Sequence, residues 1–113
     1  MGEKAEKQHI IALNTCPDEA TARTIATRLV EKKLAACVNI LPGVKSIYRW
    51  QGKIEQDNEF LLIIKTRNDV MAQLESLIRE YHPYELPEIV TVPINTGLNE
   101  YLNWIDQSLD KEQ

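Results

Sequence analysis

No glycine-rich loop is available to this 113-residue chain, because its four glycines form neither a Gly-x-Gly-x-x-Gly turn nor a Gly-x4-Gly-Lys-Ser/Thr cradle. Nucleotide hydrolysis on a backbone phosphate cradle is thereby excluded. There is no basic excess either: 17 acidic against 13 basic residues give a net charge of −4, in mixed-sign patches. Non-specific binding to nucleic acid or to an anionic membrane surface needs a basic face, so neither partner is expected. No apolar run approaches the ~20 residues of a membrane span; even the run from Phe60 to Ile64 is far shorter. The opening stretch from Met1 to Lys7 is polar and charged, unlike a secretory signal, and Glu6 stands where myristoylation needs Ser or Thr. Cysteine is limited to Cys16 and Cys37, too few for a disulfide scaffold, and a reducing, cytoplasmic location is expected. At this length one domain forms, burying roughly 65% of the surface of the unfolded chain, without a metal or a disulfide.

Between a polar tail over residues 1–9 and another over 110–113, the sequence reads as a single domain over 10–109. Ile10 to Leu13 is a short strand, stopped by Asn14-Thr15-Cys16-Pro17. Pro17, followed by Asp18 and Glu19, starts a helix, with Thr15 and Asp18 as a capping-box pair. Ala22, Ile25, Ala26, Leu29 and Val30 recur at helical spacing and give that helix one apolar face. Ala36 to Ile40 and Val44 to Trp50 form one strand with a bulge at Pro42-Gly43. Gln51-Gly52 turns it back into a third strand over Lys53 to Thr66, whose apolar centre should be covered on both faces. A second helix, with Thr66 and Asp69 as its capping box, presents Val70, Met71, Leu74, Leu77, Ile78 and Tyr81 until Pro83. Glu88 to Val92 is a fourth strand closed by Pro93, and Leu98, Tyr101, Leu102, Ile105 and Leu109 mark a third helix.

The order βαββαβ plus a helix is the α+β, ferredoxin-like sandwich, with antiparallel sheet order 4-1-3-2 and helices on one face. The second and third strands, roughly 14 residues and roughly 45 Å each, outrun the ~17–20 Å of an ordinary strand and the helices meant to cover them. Ile47, Tyr48, Trp50 and Ile54 near the hairpin tip are expected to seek a partner, so a homo-oligomer with Tyr48 and Trp50 at its interface follows.

This topology converges Asn14, Thr15 and Cys16 with His82, Tyr84 and Glu88 at one end of the sheet. A thiolate favoured by a helix N-terminus, an imidazole and the Glu88 carboxylate suit copper or zinc. The plainer alternative makes Cys16 a capping-loop residue and His82 a surface residue at a helix end. At the other end Cys37 lies beside Lys65 and close to Tyr101, with Glu59 on the same strand face but about 20 Å away. Those four suit a cleft completed by another subunit, or else a buried small side chain, a strand-end lysine and a core tyrosine. Cys16 and Cys37 sit at opposite ends and cannot bridge. A Cys16–His82 nucleophile pair lacks an orienting third group, so no enzyme is expected. An RNA-recognition surface would need stacking aromatics where the third strand has only Phe60.

Ala35-Ala36-Cys37-Val38-Asn39-Ile40-Leu41-Pro42-Gly43, Ser46-Ile47-Tyr48-Arg49-Trp50-Gln51-Gly52-Lys53-Ile54, Glu59, Lys65-Thr66, Pro87-Glu88-Ile89 and Tyr101-Leu102-x-Trp104 resemble the CutA divalent-cation-tolerance family. The likeness runs from about Ile10 to Leu109 without a gap. It implies a ferredoxin-like protomer related to PII signalling proteins, assembled as a cytoplasmic homotrimer and implicated in tolerance of copper and other heavy metals. The chain departs from relatives described as copper binders at Asn14, where they carry cysteine, and at Tyr81-His82, where they carry two histidines. The expected function is a non-enzymatic, metal-binding tolerance protein, using Cys16, His82 and Glu88 for copper or, alternatively, zinc or another divalent cation. The competing expectations are a PII-like small-molecule module using Cys37, Glu59, Lys65 and Tyr101 at subunit clefts, and a structural trimeric platform for protein partners.

Overall fold

In the computed structural model, which describes residues 7–110, the chain runs β1 (His9–Cys16), α1 (Glu19–Glu31), β2 (Cys37–Trp50), β3 (Lys53–Arg67), α2 (Met71–Tyr81), β4 (Val90–Pro93) and α3 (Asn99–Leu109). The terminal tails, apart from residues 7–9 and 110, lie outside the described residues. All pairings are antiparallel in the order β2-β3-β1-β4, the split arrangement expected from the sequence. Among the described residues no helix is long and apolar enough to cross a membrane.

Strand alternation places Ala12 and Cys16 of β1 and Leu62 and Ile64 of β3 on one face, against Ile25 and Leu29 of α1 and Leu74 and Ile78 of α2. Each of the large aliphatic side chains there contributes roughly 1.5–3 kcal/mol by leaving water. α1 forms because its apolar residues repeat on that face, and both its ends are closed by local bonds. Asp18 Oδ1 accepts the Thr21 N–H at 2.8 Å, so Asp18 caps the helix by itself and the expected pairing with Thr15 is not used. At the other end Lys33 takes φ 60°, and the N–H groups of Lys33 and Leu34 reach back to the carbonyls of Val30 and Leu29.

α2 begins later than the capping-box spacing suggested, after a 3-10 turn over Asn68–Val70. Both residues of the expected box are engaged elsewhere: the Thr66 hydroxyl donates to the Leu34 carbonyl at 2.8 Å, and Asp69 is drawn to Arg67. Arg67 is buried and carries the far end of the fold. Its guanidinium binds Asp69 through Nε and Nη2 at 2.8 and 3.1 Å, Asp106 through Nη1 at 3.0 Å and Asp110 through Nη2 at 3.2 Å. His9 joins the same group through Asp106 at 2.9 Å. A guanidinium out of water is tolerated only when such partners surround it, and here they tie β1, β3 and α3 together.

That cluster also shows where α3 lies. His9 and Arg67 are a register pair whose side chains alternate away from the α1/α2 face, so α3, which holds Asp106 and Asp110, packs across the end of the opposite face. Ile105 and Leu109 close on Ala36 there. The expectation of helices on one face therefore holds for α1 and α2 alone. The apolar centre of β3 is likewise covered on one side only: Leu62 and Ile64 are buried, whereas Leu61 and Ile63 on the opposite face stay half-buried within one chain. β4 is shorter than expected and begins at Val90, because the Glu88 carbonyl turns to the Asn14 side chain.

The bulge falls where Pro42-Gly43 placed it. Leu41 pairs with Leu61 and Val44 with Glu59, so two residues of β2 oppose Phe60 alone. The extra residue reverses the parity of β2: Cys37, Asn39 and Leu41 before it share a face with Ser46, Tyr48 and Trp50 after it. Gly43 sits at φ +78°, where a Cβ would meet no atom within 4 Å, so an added side chain suffers from the backbone conformation and not from crowding. Gly43→Ala should lower stability by about 1–2 kcal/mol, and Gly43→Asn by less because Asn tolerates the left-handed region; urea midpoints check the order.

Candidate functional site

β1 stops at Cys16, opposite Phe60, while β3 continues seven residues further towards the hairpin. The segment from His82 to Glu88 crosses the space beyond that strand end and is pinned on both sides of the sheet. His82 is buried, and its Nε2–H donates to the Thr15 carbonyl at 2.8 Å. Its Nδ1 accepts the Tyr84 N–H at 3.2 Å, which fixes the neutral tautomer and engages both ring nitrogens. Tyr84 stacks at a tilt on the His82 ring, with centroids 4.7 Å apart, and its hydroxyl donates to Glu59 Oε2 at 2.7 Å. Burial, helped by the bond to Glu59 and by its charge, holds the Tyr84 phenol well above the ordinary tyrosine range, so the proton stays on Tyr84.

Cys16 is in the same neighbourhood but faces the core. Its Sγ–H donates to Asn14 Oδ1 at 3.4 Å, and Asn14 Nδ2 donates in turn to the Glu88 carbonyl at 2.8 Å. Burial above all, then the charges of Asp18 and Glu59, push the Cys16 thiol up to about 12. The helix N-terminus expected to favour a thiolate is outweighed, since α1 starts three residues later behind the Asp18 carboxylate. The Glu88 side chain is exposed and borders a cleft on the hairpin side. Cys16, His82 and Glu88 thus share one end of the sheet, as the topology implied, without pointing at one spot. Among the described residues no three His, Cys, Asp or Glu side chains are grouped to hold a metal ion. To hold a metal ion, the Cys16 thiol must lose its proton and the His82 ring must give up one of its two hydrogen bonds.

At the opposite end Cys37 and Lys65 are register partners, with Nζ 3.8 Å from Sγ, and Lys65 also bonds the Asn39 amide oxygen. Tyr101 is 40% exposed and its ring leans on Trp104, with centroids 5.4 Å apart. Glu59 belongs to the other end, held by Tyr84. Within one chain Cys37 and Lys65 meet, and Glu59 and Tyr101 stand apart from them. Tyr48 and Trp50 lie on the face that carries Glu59, and the Tyr48 hydroxyl bonds Asp57.

Tyr84 is the residue that sequence reasoning placed without assigning it a partner. The signal was the register: a strand that ends opposite Phe60 leaves Glu59 at the first uncovered position of its face, within reach of whatever crosses the gap.

The two thiols differ in exposure and are separable by reagent. Only thiolate reacts, so alkylation of the folded protein should modify half-buried Cys37 first. Cys16 should follow only as the pH climbs towards about 12, or after unfolding. Mass spectrometry of the singly modified product reads the outcome.

The chain matches the family model of the CutA1 divalent ion tolerance protein over residues 10–108. The divalent-cation tolerance protein CutA of Thermus thermophilus is 50% identical over 98 residues, covering 87% of this chain and 95% of that protein. The human protein CutA is 47% identical over 96 residues, covering 85% of this chain but 54% of the human sequence, so this chain spans about half of its length. The solved structure of the Thermus thermophilus divalent cation tolerance protein superposes with a TM-score of 0.89 at 48% identity, covering 90% of this chain and 99% of that one. With the fold, the register-defined hairpin and this extent of agreement together, the chain belongs to the CutA1 divalent ion tolerance protein family.

Proposed function

We propose that this protein acts in divalent-cation tolerance as a non-enzymatic homotrimer that binds metal ions. The observation that carries the reading is the match to the divalent ion tolerance family over nearly the whole described chain. Trimer formation is supported by the apolar hairpin, where Ile47 and Ile54 are 68% and 64% exposed, and by the half-covered face of β3. Copper, or alternatively zinc, would be held by Cys16 and His82 with Glu88 as an oxygen donor. Because the Cys16 thiol is protonated and His82 is engaged by backbone groups, binding there must release a proton and free a ring nitrogen. Affinity is then set by rearrangement of the His82–Glu88 segment as much as by the donors.

A second reading, a small-anion module at subunit clefts, draws on the approach of Lys65 to Cys37 and Asn39. Titrating copper and zinc against the wild type and a Cys16→Ser, His82→Ala double variant separates the two. The metal reading expects binding that tightens as pH rises and disappears in the variant. Equal affinity of both proteins overturns the proposed ligands, and a thermal shift produced by anions alone and lost in Lys65→Ala moves the function to the clefts.

A further inference from the structure

At the end of the sheet away from the hairpin, a thiol and an amine stand opposite each other. Cys37 opens β2 and is the register partner of Lys65 on β3, so the two side chains are direct cross-strand neighbours. The Ala36 N–H donates to the Lys65 carbonyl at 2.9 Å, which fixes the two backbones at this point. Lys65 Nζ reaches Cys37 Sγ at 3.8 Å and also bonds the Asn39 amide oxygen. Among the described residues no carboxylate forms an ion pair with Lys65, so its head group is shared between sulfur and amide. The pair is also remote from the hairpin surface that assembly covers: Trp50 closes β2 at its other end, and α3 of the same chain lies across this end, where Ile105 and Leu109 close on Ala36. Cys37 is half-buried, whereas Cys16 is fully buried with its thiol pushed up to about 12. Of the two thiols, Cys37 is the one open to a small oxidant.

We propose that Cys37 and Lys65 form a peroxide-responsive pair, in which oxidised Cys37 is captured by the Lys65 amine as a reversible sulfenamide cross-link between β2 and β3. In the first step the Cys37 thiolate attacks one oxygen of hydrogen peroxide: an S–O bond forms, the O–O bond breaks, and sulfur gives two electrons to the oxidant. The hydroxide that leaves takes a proton from the Lys65 ammonium, giving water and a neutral amine beside the new sulfenic acid. In the second step the amine lone pair attacks sulfur, the S–O bond breaks, and the departing hydroxide takes an amine proton to become a second water. The thiol and the amine together lose two hydrogens for each peroxide reduced. The long, flexible lysine stem supplies the movement that bond formation from 3.8 Å requires. Capture holds sulfur short of the irreversible sulfinic stage, and a free thiol restores both residues by attacking the sulfur and expelling the amine. Neither Cys16 nor His82 takes part, so the pair stands apart from the metal reading.

The test adds hydrogen peroxide to the folded full chain, digests the product without reduction and reads it by mass spectrometry. Wild type should lose the mass of two hydrogens, with the Cys37 and Lys65 peptides joined until dithiothreitol separates them. Lys65→Arg keeps the charge but not the attacking amine, so it should yield no joined peptides. Its Cys37 sulfenic acid should instead be trapped by dimedone, which leaves wild type unlabelled. Where Lys65→Arg fails to fold, Lys65→Gln serves the same comparison. A Cys37 that does not react with peroxide in the folded protein, a wild-type product that is a sulfinic acid or a disulfide, or equal dimedone labelling of wild type and variant would each overturn the proposal.

Discussion

The structure depends on a mismatch of lengths: β3 has fifteen residues, and β1 pairs with only the eight from Phe60 to Arg67. From Lys53 to Glu59 its sole strand partner among the described residues is β2, and α1 and α2 pack over the half that β1 supports. The hairpin therefore projects, and the molecule reaches 46 Å along its longest axis. The place where β1 gives out is where the His82–Glu88 segment crosses, where Tyr84 finds Glu59 and where the cleft opens. Functional geometry in this protomer is a consequence of where one strand stops.

Around that gap, local bonds take precedence over reactive side chains. The ring nitrogens of His82 hold the crossing segment to Thr15 and Tyr84, and Asn14 holds Cys16 and the Glu88 carbonyl. A buried His and Cys used as structural connectors lose availability as ligands, because each bond must be broken and replaced before a metal can be held. Glu59 is engaged in the same way, accepting the Tyr84 hydroxyl at 2.7 Å.

Much of this was legible in the residues. The apolar spacing of Ala22, Ile25, Ala26 and Leu29 fixed α1, and Pro42-Gly43 marked the bulge because a residue without N–H and one free to take positive φ suit that irregularity. Gln51-Gly52 marked the turn, and both residues take positive φ. What the residues did not disclose was competition. Thr66 and Asp69 look like a helix cap in isolation, yet Leu34 and Arg67 claim them from distant parts of the chain. The charge of Cys16 likewise depends on burial and on Asp18 and Glu59, which outweigh its place ahead of a helix. The position of α3 on the opposite face followed from Asp106 and Asp110 meeting Arg67, a contact that helical spacing cannot signal.

The uncovered hairpin and sheet face should make assembly part of folding. Protomer folding and association should then form one transition whose midpoint rises with protein concentration. Light scattering across a dilution series, read together with thermal unfolding, measures both quantities. A mass of three chains that persists until unfolding, with a concentration-dependent midpoint abolished by Trp50→Glu, is the expected result. A folded monomer of 13.0 kDa whose midpoint is independent of concentration would contradict it.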